Sequence, residues 1–260
     1  LGLPDHDSEV REVRSARAAD ALVRELGSGR ADATRRSAMR DLRRLGYLGY
    51  DSRHKMVKHR AEFLFSLQRE DGSWPLSRET TGAESEQEGY SMIPLQTALP
   101  LIALSACGYA QDPRSEIGYE WLLSQRLDDG AWPTGRASGV HGRVAGYRKL
   151  PHSRWGCRTN TTGAIIALAW HPVRRKDPTC RRGVDLLLSR EKYEAANIGF
   201  EVARGVGAEA EKGFLTYFAR SDPGLLLELG WRTGFSFDEP RMGALRRFLG
   251  GERKGSGIWH

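Results

Sequence analysis

The chain repeats itself about every sixty residues, and that period restricts its possible folds more than any other feature. Four segments share one punctuation: an apolar stretch ending in a small or aromatic pair, an Asp, a second stretch, then a Gly and an aromatic. The first stretches end at Leu45-Gly46-Tyr47, Cys107-Gly108-Tyr109, Trp170-His171-Pro172 and Leu229-Gly230-Trp231. Asp51, Asp112, Asp177 and Asp238 follow at separations of 61, 65 and 61 residues, and each reads as the cap of a second helix. Pro113 and Pro178 directly follow two of these caps, where the first helical turn accepts proline, and Pro240 lies two positions past the last.

No strand-like alternation of useful length occurs, so each unit predicts an antiparallel pair of helices. The first stretches, such as 93–104 and 161–170, are apolar nearly all round, whereas the second alternate apolar with charged residues. That difference predicts an inner ring of buried helices and an outer ring of amphipathic ones, an all-α fold that closes as an α/α toroid. A further helix is expected over residues 8–26. One domain over 1–260 is expected, with repeats at approximately 31–75, 90–133, 158–200 and 213–260.

Composition removes several alternatives. No apolar run approaches the roughly 20 residues of a membrane span, which leaves peripheral membrane contact as the only kind expected. Cys107, Cys157 and Cys180 are odd in number and widely spaced, so neither a disulfide framework nor a zinc knuckle is encoded. A reducing, cytoplasmic setting follows. The start at Leu1-Gly-Leu-Pro, without Met or leader pattern, suggests a chain that begins inside a longer product or after a removed tag. The net charge of +7 is unevenly placed: residues 130–176 hold nine bases and no acid, while 79–88 hold Glu79, Glu84, Glu86 and Glu88 and no base. No nucleic-acid module accompanies the charge, so a phosphorylated small molecule is the better match.

The segments Phe63–Trp74 and Tyr119–Trp132, each an aromatic and aliphatic helix followed by Gln and Asp-Gly-x-Trp, resemble the QW repeat of the squalene cyclase and protein prenyltransferase superfamily. With the weaker copies ending Asn197-Ile-Gly-Phe200 and Ser256-Gly-Ile-Trp259, the resemblance runs from about Arg35 to Trp259. It implies the α/α toroid, here with four pairs and an N-terminal helix against the six pairs of a full family barrel. It does not by itself imply a reaction. Where the family's class II cyclases place an Asp-rich protonating element, this chain reads Arg158-Thr159-Asn160-Thr161-Thr162, so both acids are missing. Where prenyltransferases hold zinc, Cys157 stands with Trp155 two residues upstream, and 213–218 has no His. His141, His152, Cys157 and His171 match no metal spacing, and no metal is expected. Asp128-Asp129 belongs to the repeat and not to a magnesium box.

What remains for chemistry is the connection over 133–157, long for a compact helical domain. Arg154 and Arg158 beside a helix start, with Arg143, Arg148 and Lys149 adding field, either grip a diphosphate or form a solvated basic loop paired with the acidic one. Tyr90, Trp155, Tyr217 and Phe218, with Asn160, are candidates to line an isoprenoid pocket, against the plainer reading of aromatics as packing. Glu84, Glu86, Glu88 and Asp222 are the acid candidates, Asp222 reading more simply as a cap before Pro223. Cys157 is a nucleophile candidate without an adjoining base. The resemblance and the charge together imply a prenyltransferase- or terpene-cyclase-like protein that binds or converts an isoprenoid or other phosphorylated amphiphile, with no cofactor beyond magnesium on a bound diphosphate. The alternative is a non-catalytic toroid for a protein or peptide partner. Neither turnover nor oligomeric state is encoded.

Overall fold

In the computed structural model the described residues are 21, 23–24, 34–74, 94–133, 153–188 and 223–251, and every regular element among them is helical. The elements are α1 (Arg35–Tyr47), α2 (Lys55–Ser66), α3 (Pro94–Ala106), α4 (Pro113–Ser124), α5 (Arg158–Trp170), a 3-10 turn (Arg174–Lys176), α6 (Pro178–Leu188), α7 (Pro223–Arg232) and α8 (Pro240–Gly251). The all-α expectation holds. Two compact units divide the chain, Leu1–Gln125 and Arg126–His260. In the first, α1 packs on α2 and α3, and α3 on α4; in the second, α5 packs on α6 and α7, and α7 on α6 and α8. The N-terminal helix expected over 8–26 and the repeat ends at 200 and 259 lie outside the described residues, apart from 21 and 23–24, which are helical.

Burial follows the apolar pattern. In α5 every residue from Asn160 to Ala169 is buried, and in α3 every residue from Thr97 to Leu104 is. The second helix of each of these pairs buries one face, Ser115, Gly118, Tyr119 and Leu122 in α4 and Cys180, Gly183, Val184 and Leu187 in α6. α1 departs from the expectation, because Arg35, Arg40, Arg43 and Arg44 make it amphipathic, and it buries a stripe of Ala38, Met39, Asp41, Leu42, Leu45 and Gly46.

The repeat's true register differs from the one the sequence suggests. α1, α3 and α7 close on glycines with positive φ, Gly49, Gly108 and Gly234, each followed by an aromatic whose N–H reaches back: Tyr50 to Leu45, Tyr109 to Leu104 and Phe235 to Gly230. Gly46 and Gly230 are therefore helical residues, not helix ends. A Cβ on Gly46 would stand 2.4 Å from the Ala106 carbonyl oxygen, so glycine there permits α1 to approach α3. At the end of α5, His171 replaces the glycine, and its Nδ1 accepts the N–H groups of Val173 at 3.1 Å and Arg174 at 3.0 Å.

Two expected caps also move. Asp112 and Asp177 cap as read, accepting from the N–H of Arg114 and Thr179. Asp51 instead closes the turn before α2, where His54 is the cap. At α8 the cap is Glu239, which takes the N–H of Arg241 and Met242, while Asp238 accepts from the Ser236 hydroxyl. With the cap at Glu239, Pro240 falls at the first helical position, the place proline holds in α4 and α6.

Candidate functional site

The candidate site is the start of α5, and the loop that precedes it in space is the second copy of the repeat motif. Gly130 takes φ of 92°, and Asp129 Oδ1 accepts the N–H of Ala131. The other oxygen of Asp129 accepts from the Ser153 hydroxyl, which in turn takes the N–H of Gly156 at 2.8 Å. Cys157 N–H donates to the Trp132 carbonyl at 2.8 Å, and Trp132 N–H donates to Thr161 Oγ1 at 2.9 Å. Pro133 and Gly156 form an antiparallel bridge. The first turn of α5 is thus riveted to residues 129–133, and the same device recurs in the first unit, where Trp74 N–H donates to Thr97 Oγ1 at 3.1 Å.

On this base the side chains proposed from sequence separate. Arg158, the first residue of α5, is only 6% exposed, and among the described residues it has no ion pair, hydrogen-bond or ring partner. Arg154 is exposed, its guanidinium 5.0 Å from the ring of the half-exposed Trp155. Asn160 is buried, and its amide donates to the Pro133 carbonyl at 3.0 Å, so it helps hold the loop. Cys157 is the N-cap residue with a fully buried side chain that makes no capping hydrogen bond. Thr162 Oγ1 is buried without a hydrogen-bond partner. Glu84, Glu86, Glu88, Tyr90, His141, Arg143, Arg148, Lys149, His152, Tyr217, Phe218 and Asp222 lie outside the described residues.

The other thiols are committed to the core. Burial pushes Cys107 and Cys180 up to about 12, and the Cys107 thiol donates to the Leu42 carbonyl at 3.0 Å. Among the described residues no three His, Cys, Asp or Glu side chains gather as a metal set.

The repeat contains parts that the sequence reading missed. Gly118 and Gly183 each lie six residues past a helix cap, and each faces the tryptophan of the loop before it. A Cβ on Gly118 would be 3.0 Å from the Trp74 ring, and one on Gly183 would be 3.7 Å from the Trp132 ring and 2.0 Å from Ile165. Their 65-residue separation equals that of Asp112 and Asp177, and this was the signal that could have exposed them. Arg114 was also missed. It chelates its own cap Asp112, pairs with Glu62 of α2 at 2.8 Å, and lies 3.7 Å over the Phe65 ring. The Asp112 and Glu62 carboxyls are held below their ordinary range, chiefly by these Arg114 hydrogen bonds.

Repeated helix pairs, Asp-Gly-x-Trp loops clasped to the next helix and buried first helices define a QW-type α/α repeat protein. Residues 36–145 match the family model of the squalene-hopene cyclase C-terminal domain. A probable squalene–hopene cyclase of Sinorhizobium fredii is 28% identical over 115 residues, covering 41% of this chain and 18% of that protein. A squalene–hopene cyclase of Bradyrhizobium diazoefficiens is 29% identical over 104 residues, covering 36% and 16% respectively. These matches bear out the resemblance to the squalene cyclase superfamily over the first half of the chain. The matched stretches span less than a fifth of the length of these relatives. No solved structure matches.

Proposed function

We propose that this chain belongs to a terpene-cyclase-like protein that binds or converts an isoprenoid, with a phosphorylated head group at the N-terminal end of α5. The observation that carries the reading is Arg158. It is the first residue of α5, at the positive end of the helix dipole, is 6% exposed, and has no carboxylate partner among the described residues. Holding a cation against a like-signed pole is unfavourable, and a bound phosphate would relieve both through bidentate hydrogen bonds at the positive end of the helix. Arg158 and Asn160 stand where the family's protonating acids would be, so acid-initiated cyclisation at this element is not part of the proposal.

The test is thermal shift and product analysis with farnesyl diphosphate, geranylgeranyl diphosphate and squalene, with and without magnesium. Stabilisation by the diphosphates is expected. Arg158→Met should weaken binding at least about tenfold and Arg158→Lys less, whereas Arg154→Ala, at an exposed stacked site, should change it less than about threefold. Failure of every ligand to bind the folded protein, or unchanged binding by Arg158→Met, would return the chain to the reading as a partner-binding toroid.

A further inference from the structure

We infer that Thr162 is the second half of the head-group site at the start of α5 and makes that site selective for two linked phosphates over one. The inference rests on the isoprenoid reading for the class of ligand, and adds to it the residue that discriminates among head groups.

Most polar groups in the first turns of α5 are spent on the preceding loop. The Cys157 N–H donates to the Trp132 carbonyl, the Asn160 amide to the Pro133 carbonyl, and Thr161 Oγ1 takes the Trp132 N–H. Arg158 and Thr162 are left over. Thr162 is 1% exposed and its Oγ1 has no hydrogen-bond partner, just as the 6% exposed Arg158 has none among the described residues. A helical threonine can donate to the carbonyl four residues back, as Thr233 does to that of Leu229 at 2.8 Å. Thr162 does not spend its hydroxyl on Arg158 in this way. Four residues apart, the two side chains lie on one face of the helix, with Thr162 one turn of about 5.4 Å further in and its Cβ tilted toward the helix start. Ser115, another buried hydroxyl without a partner, has no basic residue one turn away.

The first unit shows that the repeat does not require this pair. Thr97 of α3 takes the Trp74 N–H as Thr161 of α5 takes that of Trp132, which fixes the register between the two helices. In that register Pro94 stands at the place of Arg158 and Ala98 at the place of Thr162, both of them buried. The same rivet closes over apolar residues there, so a cation and an unpaired hydroxyl at those places in α5 carry a desolvation cost that the fold does not demand. An anion satisfies both: the guanidinium forks onto one phosphate, and the hydroxyl donates to the next. Donors one helical turn apart span two linked phosphates better than one. Both groups are closed from solvent in this structure, so the anion enters as that end of α5 opens.

The test is calorimetric titration of the full chain with inorganic phosphate, inorganic pyrophosphate, farnesyl monophosphate and farnesyl diphosphate. The wild type should bind each diphosphate at least about tenfold more tightly than the matching monophosphate. Thr162→Val, which keeps the shape and removes the hydroxyl, should weaken diphosphate binding about tenfold while moving monophosphate binding by less than about threefold. Thr162→Ser should restore the preference, and Arg158→Met should weaken all four anions. Because an unpartnered buried hydroxyl is unfavourable, Thr162→Val should also raise the unfolding midpoint of the free protein, which separates lost binding from a lost fold. Equal binding of mono- and diphosphates by the wild type overturns the inference, as does a Thr162→Val variant that weakens neither class or both alike; the head-group proposal then stands or falls on Arg158. Farnesyl diphosphate bound no better than pyrophosphate, with the dependence on Thr162 intact, refutes the isoprenoid reading and keeps the two-phosphate site. Failure of all four anions to bind the folded chain overturns both.

Discussion

Gly72 and Gly108 have nearly the same backbone, φ of 89° and 87°, but different surroundings. A Cβ on Gly72 would stand 2.5 Å from the Ile117 carbonyl oxygen, whereas one on Gly108 would meet nothing within 4 Å. Gly108→Ala should therefore cost only the left-handed strain, about 1 kcal/mol, and Gly72→Ala about 3 kcal/mol once backbone must move, measurable by urea denaturation. Arg114 supplies a pH signature. Because it holds Asp112 and Glu62 below their ordinary range, their contribution to stability is fully present above the unfolded carboxylate values and is lost as pH falls through the lowered folded ones. Thermal melts from about pH 6 to 2 should show a steeper loss in the wild type than in Arg114→Met. At neutral pH the variant should lose only about 1–2 kcal/mol, since Arg114 and Glu62 are both substantially exposed and solvent screens the pair.

The two copies of the repeat motif differ as elements through one inserted residue. Gln68 lies six positions before Trp74 and donates to both the Gly72 carbonyl and the Arg114 carbonyl at 2.9 Å, clasping α2 to α4. Gln125 lies seven before Trp132, and its amide reaches only Ser124. In the second copy the clasp is reversed, with Arg182 of α6 covering Gly130 and donating to the Asp128 carbonyl at 3.4 Å. Gln68→Ala should destabilise by about 1–2 kcal/mol and Gln125→Ala by no more than about 0.5, a contrast that chemical denaturation resolves. The residue six past each cap varies in step: Gly118 and Gly183 follow copies that supply Trp74 and Trp132, while Leu245 follows the weak copy ending in Phe200, and Arg60 occupies the position in α2. Glycine stands where a tryptophan must be admitted, and larger side chains fill the place elsewhere.

Arg60 bears on the whole molecule, because α1 and α2 form the first described pair and carry its least typical core. Arg60 approaches Asp41 of α1 at 3.5 Å with both side chains buried, close enough for an ion pair but too far for a strong hydrogen bond, and Asp41 Oδ2 has none. Arg40 also reaches Asp41 Oδ1 at 3.4 Å, so Arg60→Leu leaves the buried carboxylate one exposed partner and should cost about 2–3 kcal/mol, and adding Asp41→Leu should recover most of it. A double-mutant cycle in which the two losses merely add would show that the pair is not coupled. At the same scale, the charge of residues 130–176 becomes distinguishable by position: Arg158 is buried, Arg154 stacks in solvent, and Arg174, Arg175 and Lys176 crown the far end of α5.

The period of sixty, the apolar helices and the two Asp-Gly-x-Trp loops determined the helix pairs and carried the squalene cyclase resemblance from sequence alone, because periodic burial and positive-φ turns leave their mark on residue type. Register within the repeat was not legible. Gly46 and Gly108 look alike in sequence, and only packing shows that one admits a neighbouring helix while the other ends its own. Nor could spacing tell that Glu239 rather than Asp238 caps α8, since either carboxylate reaches a first-turn N–H in principle. The fates of Arg154, Arg158 and Asn160 were likewise decided by tertiary structure. These three residues are all basic or polar to a sequence reading, but the way the loop over 129–133 is riveted to α5 buries Arg158, ties Asn160 to Pro133 and leaves Arg154 in water.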